Sequence, residues 1–341
     1  MGCCAMDIMV AHRAHAVLYL YFLIRAIAEL PSPSVSRGER EASLATGRYH
    51  ADRKSSPRTP VSQYLRPADL PTALDALRSH SYVVLAGGTD HYPARVGRPL
   101  TDDVLDLSAL VELRGITDRP DHWRIGALTT WTDVLEATHL PPLFDGLRLA
   151  AREIGGVQIQ NAGTLCGNLC NASPAADGVP PLLALGARVE LRSATATLTL
   201  ALEDFILGPR RTALQAGQIM TAILVPKPAR AAAGHFLKLG ARRYLVVSIA
   251  MASAVIETSN TGIVTAARVA VGSCSPVARR LPALEAALLS CPANAQLGAV
   301  VAASHLTPLA PIDDVRASRE YRRDATLTLL RRLLNELGAR A

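Results

Sequence analysis

Aromatic side chains are scarce in this sequence: Phe, Trp and Tyr make up 4% of 341 residues. The core therefore has to be assembled from Ala, Val, Leu and Ile. A one-signed charge is missing as well, once the formal net charge of +7 is located along the chain. Residues 1–60 carry 8 basic and 5 acidic side chains, residues 316–341 carry 7 and 3, and the body between them is neutral. That excludes a basic nucleic-acid face, and no zinc-finger or RNA-binding signature occurs. Cysteines stand at 3, 4, 166, 170, 274 and 291, with no C-x-x-C and no matched Cys/His set. Neither zinc nor an iron–sulfur cluster is expected on this chain, no metal ligand is assigned, and the thiols read as reduced and buried in a cytoplasmic protein. Long apolar runs are missing too. AVLYLYFLI at 16–24 stops at Arg25, short of the ~20 residues a membrane span needs, and its match to an export signal is poor.

Several reaction classes lack their motifs. There is no G-x-S-x-G, H-E-x-x-H, G-x-G-x-x-G or P-loop, and His91, His122, His139, His235 and His305 are scattered. No catalytic acid–base or nucleophilic residue is assigned.

What is present is glycine and neutral polarity in two places. Residues 155–177, GGVQIQNAGTLCGNLCNASPAAD, combine four glycines with Gln158, Gln160, Asn161, Thr164, Asn168, Asn171 and Ser173, and Asp177 is the only charge. This composition fits neither a regular helix nor an ordinary loop; it reads as a segment wrapped around a ligand, or as a tight structural turn. Residues 82–90, YVVLAGGTD, are a β-branched run ending in Gly87-Gly88: a strand feeding a nest of main-chain N–H groups, suited to an anionic pyrophosphate without cationic side chains.

Elsewhere the chain reads as short strands alternating with helices from Val61. Asp69 and Pro71 open a helix, Thr130 or Thr132 caps another, GLRLAAREIG forms a third, and QIMTAILVP at 218–226 is a strand. After PKPARAAAG (226–234), three apolar runs with turn signals between them predict an antiparallel meander. Helical segments follow near 281–290, 294–303 and 318–337, the last with a buried stripe of Tyr321, Ala325, Leu329, Leu333 and Leu337 and with Arg319, Arg322, Arg323, Arg331 and Arg332 on solvated faces. Residues 1–60 read as a poorly ordered extension.

AGGTD at 86–90, QIQNAGTLCGNLCNASPAADGVPPLLALGA at 158–187 and KLGARRYLVVSIA at 238–250 together resemble the FAD-binding medium subunits of molybdenum hydroxylases, the xanthine dehydrogenase and aerobic carbon monoxide dehydrogenase family. The resemblance implies an α+β chain: a two-part α/β FAD-binding domain of the PCMH (vanillyl-alcohol-oxidase-like) type over 61–230, then a smaller domain over 231–341 with a three-stranded antiparallel sheet and helices. It implies FAD as cofactor, with molybdopterin and [2Fe–2S] clusters on separate large and small partner subunits, and NAD or another electron acceptor. The site residues it implies are Val84, Leu85, Ala86, Gly87, Gly88, Thr89, Asp90 and His91; then Ile154, Thr164, Leu165, Cys166, Gly167, Asn168, Asn171 and Asp177; then Met220 and Lys238. Asp177 suits a ribityl or ribose hydroxyl, and Lys238 a reduced, anionic flavin. Cys166 stands where such loops often carry Gly, Ile154 where an aromatic side chain sometimes stands, and His91 where an aliphatic is usual. The alternative on the same fold is a self-contained flavin oxidase acting on its own substrate.

Overall fold

Two β-branched residues and a leucine, Val83–Leu85, form an edge strand of the first sheet. The computed structural model describes residues 62–340 apart from 98 and 100, so the expected 1–60 extension lies outside the described residues. In chain order, the first part contains β1 (Tyr64–Leu65), α1 (Leu70–Ser79), β2 (Val83–Leu85), β3 (Val104–Asp106), β4 (Ile116–Asp118), β5 (His122–Gly126), α2 (Trp131–Glu136) and α3 (Asp145–Glu153). Next come α4 (Val157–Ala162), α5 (Leu165–Asn171), α6 (Val179–Ala184), β6 (Arg188–Arg192), β7 (Thr197–Ala201), α7 (Leu202–Phe205), β8 (Ile206–Gly208), β9 (Arg211–Thr212) and β10 (Ile219–Pro226). The remainder is β11 (Ala232–Leu239), β12 (Ala250–Thr258), β13 (Val264–Gly272), β14 (Arg279–Arg280), α8 (Pro282–Leu288) and α9 (Arg319–Gly338).

The helix starts follow from local chemistry. Asp69 accepts from Thr72 N at 2.8 Å and Pro71 sits in the first turn of α1, where a proline's missing N–H costs nothing. Of the two threonines that could cap α2, Thr130 does so, in a reciprocal capping box with Asp133. The strands sort into a parallel sheet β1-β3-β2, an antiparallel sheet β4-β5-β10-β6-β7, a hairpin β8-β9 and an antiparallel sheet β11-β12-β13-β14.

The last sheet corrects the sequence reading in two ways. It has four strands, because the two-residue β14 pairs with Ala270 and Val271; so short a strand carries no periodicity to read. β12 is buried on both faces. Ala250, Ala252, Ala254 and Ile256 pack toward α8 and α9, while Val255 joins the main core, which explains an apolar run without alternation. Residues 245–247, expected to begin that strand, instead lie in a loop that exposes Tyr244, Leu245 and Val247. The expected helix at 294–303 resolves into two 3-10 turns, Leu297–Val300 and Ala303–Leu306.

α9 has the expected bounds, with Ser318 as its cap, but a different buried face. Tyr321 is exposed, whereas Arg322, Thr326, Leu330, Leu333, Leu334 and Leu337 are buried. A strict four-residue ladder drifts about 40° per step on a helix of 3.6 residues per turn, so the expected stripe starts off the buried face at Tyr321 and reaches it only at Leu333 and Leu337. Arg322, read as solvated, is fully buried. It donates to Ile249 O at 2.5 Å, to Ser273 O at 3.1 Å and to Asp314 Oδ1 at 2.6 Å, which pins α9 to the sheet.

Hydrogen bonds from Arg316, with Arg322 beside it, hold the Asp314 carboxyl well below the usual carboxylate range. A carboxylate depressed in the fold contributes stability above its unfolded value of ~3.9 and loses it as pH falls. The stability lead of wild type over Asp314→Asn, measured by urea unfolding, is therefore expected to shrink between about pH 6 and about pH 3. A lead that stays constant over that window would show that the clasp does not depend on charge.

Candidate functional site

β2 ends at Leu85 and the chain turns at once through Ala86 to His91. A Cβ on Gly87 would lie 1.8 Å from Ala162 O, so the end of α4 presses backbone to backbone on this turn. Gly88 has φ +69°, a region that costs other residues ~1–2 kcal/mol. The main-chain N–H groups of Gly87, Gly88, Thr89, Asp90 and His91 donate to no acceptor among the described residues. Successive unpaired N–H groups at a left-handed turn make an anion-binding concavity.

The opposing wall is the polar segment, which is helical after all. Two short helices, α4 and α5, replace the irregular loop expected there, and Thr164 caps α5 by accepting from Gly167 N at 3.0 Å. The apolar side of α5 explains its stability: Leu165 and Leu169 are fully buried, and short helices derive most of their stability from such packing. Leu165 N donates to Thr129 O and Trp131 N to Gly163 O, which ties this wall to the start of α2. The two glycine segments meet, since a Cβ on Gly163 would stand 3.3 Å from Thr89 Oγ1. Cys166 lies inside α5 and has no positive φ, so the backbone does not require glycine at this position.

Between the walls is a cavity of about 720 Å³, toward the upper end of small-molecule sites. The nest residues Val84, Leu85, Ala86, Gly87, Gly88, Thr89, Asp90 and His91 line one side; Thr164, Cys166, Gly167, Asn168 and Asn171 line the other. Ile154 and Met220 lie on its surface as well. Three of the expected residues do not. Leu165 points into the core. Asp177 and Lys238 pair with each other: Lys238 Nζ lies 2.7 Å from Asp177 Oδ2 and 3.3 Å from Glu153 O, and Ser248 Oγ donates to Asp177 Oδ1 at 2.5 Å. Glu153 immediately precedes Ile154, a residue of the cavity lining.

Sequence reasoning missed one end of the cavity, lined by Tyr82, Leu214, Gln215 and Gln218, together with Arg95 near the nest. Gln215-Ala216-Gly217-Gln218 is a turn signal ahead of a strand, and loops at strand ends commonly carry binding groups. Asn168 Oδ1 is buried without a hydrogen-bond partner, a polar atom in need of a donor. Burial pushes the Cys166 thiol up and the Cys170 thiol to about 12, so both are neutral thiols at physiological pH and neither is a nucleophile. Burial and the neighbouring Arg95 charge lower the His91 pKa, leaving a neutral imidazole beside the nest. Among the described residues no cluster of His, Cys, Asp or Glu could hold a metal ion.

An anion cradle, a run of hydroxyls and amides, an apolar end and a volume of this size suit a dinucleotide built of pyrophosphate, sugar and ring systems. Residues 59–228 match the family described as "FAD binding domain in molybdopterin dehydrogenase" and residues 235–337 match "CO dehydrogenase flavoprotein C-terminal domain". The chain is 30% identical over 293 residues to the xanthine dehydrogenase FAD-binding subunit of Escherichia coli O157:H7, covering 82% of this chain and 97% of that one. It is 30% identical over 290 residues to the nicotine 6-hydroxylase medium subunit of Paenarthrobacter nicotinovorans, covering 82% and 99%. Among solved structures, carbon monoxide dehydrogenase from Hydrogenophaga pseudoflava matches with a TM-score of 0.73 at 26% identity, over 83% of this chain and 99% of that one.

Proposed function

The chain belongs to the FAD-binding medium subunits of molybdopterin dehydrogenases, the xanthine dehydrogenase and carbon monoxide dehydrogenase medium-chain family, and from that premise we propose that it is the electron-transfer flavoprotein of a molybdenum hydroxylase complex. In this reading it takes electrons from [2Fe–2S] clusters of a small partner subunit and passes them through FAD to NAD or another acceptor, while molybdopterin resides on a large partner. Residues 61–230 hold the cofactor in a PCMH-type domain, and 231–341 form the smaller companion domain. Bound FAD supplies all the redox chemistry, through its isoalloxazine ring.

The observation that carries this reading is the row of unpaired N–H groups at 87–91, on residues that line the cavity. Those groups would hold the pyrophosphate, with Thr89 as a hydroxyl donor and Thr164 to Asn168 closing the second side. Asn168 Oδ1 would accept from a sugar hydroxyl or ring N–H. The buried Lys238–Asp177 pair places a cation beyond Ile154, where it can steady negative charge on a reduced ring without leaving net charge in the wall.

A partner surface has support of its own. Tyr244, Leu245, Val247, Ile312 and Val315 are exposed on two segments stitched together by Arg316 Nη1 donating to Ser248 O at 2.9 Å. Arg242 Nε donates to Leu245 O at 3.2 Å and Leu245 stands at φ 52°, strain spent on presenting an apolar side chain to solvent. Exposed apolar clusters of this kind mark protein contacts. No described helix is long and apolar enough to cross a membrane.

The purified chain is expected to bind about one FAD noncovalently and to turn over no small substrate by itself. Acid precipitation should leave yellow flavin in the supernatant. Flavin retained in the pellet, or substrate oxidation by the chain alone, would replace this reading with a self-contained oxidase.

A further inference from the structure

The cavity contains one feature that the nest leaves unused. Of all the Lys and Arg side chains among the described residues, Arg95 alone lines it. Its guanidinium is held at two points: Nε lies 2.6 Å from Asp102 Oδ2, and Nη1 donates to His91 O at 3.1 Å. The second contact is to the last residue of the nest, so the charge is fixed where the row of unpaired N–H groups ends. Two contacts use two of the five guanidinium N–H groups and leave the others for a ligand. Asp90 is the one carboxylate on the same lining, and neutral His91 adds no positive charge. A planar fork locked in place by a carboxylate is the usual device for recognising a phosphate.

We propose that Arg95 is the cationic side chain of the cradle, braced by Asp102 and the His91 carbonyl, and that it binds the phosphate groups of the dinucleotide. The sequence reading had those phosphates held by neutral groups only. The assignment rests on the reading that the cavity holds FAD, and it separates two roles for one residue. As a brace, Arg95 would act only by tying the 91–95 turn to Asp102. As a phosphate ligand, it acts through charge, which Asp102 partly cancels.

The full chain, freed of flavin, is titrated with FAD at low and high salt as wild type, Arg95→Gln, Arg95→Lys and Asp102→Asn, with circular dichroism as the folding check. Arg95→Gln is expected to weaken FAD about ten- to hundred-fold, the loss of one charge-assisted bond, and to flatten the salt dependence because one screened attraction is gone. Arg95→Lys should keep that salt dependence while losing part of the affinity. Asp102→Asn should keep the salt dependence and lose less affinity than Arg95→Gln, since the charge stays and only its brace is gone. Should Arg95→Gln fail to fold, the salt dependence of Arg95→Lys and the affinity of Asp102→Asn decide the matter. Equal affinity of wild type and Arg95→Gln, or a loss in Asp102→Asn matching that of Arg95→Gln, overturns the phosphate role. A wild-type chain that takes up no FAD overturns the cavity reading itself, and this assignment with it.

Discussion

Gly88→Val is expected to fold and to bind FAD one to three decades more weakly than wild type. The backbone at Gly88 sits at φ +69°, and a β-branched residue there costs at least the ~1–2 kcal/mol of left-handed strain. Its Cβ would fall 2.7 Å from the Tyr92 ring. Tyr92 is 49% exposed, so the ring can swing toward solvent and the fold survives, but the turn moves with it. Each main-chain bond to a charged phosphate is worth roughly 1.5–3 kcal/mol, and ~1.4 kcal/mol is a decade in affinity. Displacing one or two of the N–H groups at 87–91 gives the stated loss. Gly262→Ala is the matched control: φ is +72° and nothing lies within 4 Å of the added Cβ, so it bears similar strain far from the cavity and should leave FAD affinity unchanged. Fluorescence titration of the flavin-free proteins decides; full occupancy of Gly88→Val at low micromolar FAD would remove the nest from the site.

Gly87 is a poorer probe, and the reason shows what sequence could and could not reveal. A double glycine after a β-branched strand announces a turn that no side chain fits, and both residues read alike. In the fold they serve different needs. Gly88 supplies the left-handed φ, whereas Gly87 makes room for the carbonyl of Ala162, a neighbour 75 residues away in sequence. The same divide runs through the rest of the chain. The caps at Asp69 and Thr130 were legible because a cap is a bond between residues three apart. About half of the cavity lining was legible because the two glycine-rich stretches carry it. The burial of Arg322 was not, since its partners at 249, 273 and 314 are brought to it by a sheet and a loop. α4 and α5 were hidden by poor intrinsic propensity; in α5 the i, i+4 pair of Leu165 and Leu169 and the cap at Thr164 were the only traces of a helix. The mutual pairing of Asp177 and Lys238, 61 residues apart, was equally out of local reach.

That pairing alters the expected outcome of removing Asp177. Read as a free acceptor for a flavin or sugar hydroxyl, Asp177 could be replaced by Ala at little cost to folding. Paired, it cannot. The Lys238 side chain is 4% exposed and that of Asp177 10%, and removing one partner of a buried ion pair costs ~3–5 kcal/mol because the other charge is left uncompensated. Asp177→Ala is therefore expected to lose that much stability in urea unfolding of the flavin-free chain, before any effect on FAD. Lys238→Met should cost a similar amount, and the double variant Asp177→Ala/Lys238→Met should recover much of it. The pH dependences separate the two single variants. Burial already raises the Asp177 carboxyl against the pull of Lys238; without the lysine it rises further. A carboxyl raised in the fold has its full stability at low pH and loses it as pH climbs through the folded value, so Lys238→Met should gain on wild type as the solution is acidified. In Asp177→Ala the stranded group is an ammonium that burial drives toward its neutral form, so that variant should gain on wild type as pH rises. Stability of Asp177→Ala within ~0.5 kcal/mol of wild type, the range of an ordinary surface change, would show that the pair is solvated and would return Asp177 to the ligand.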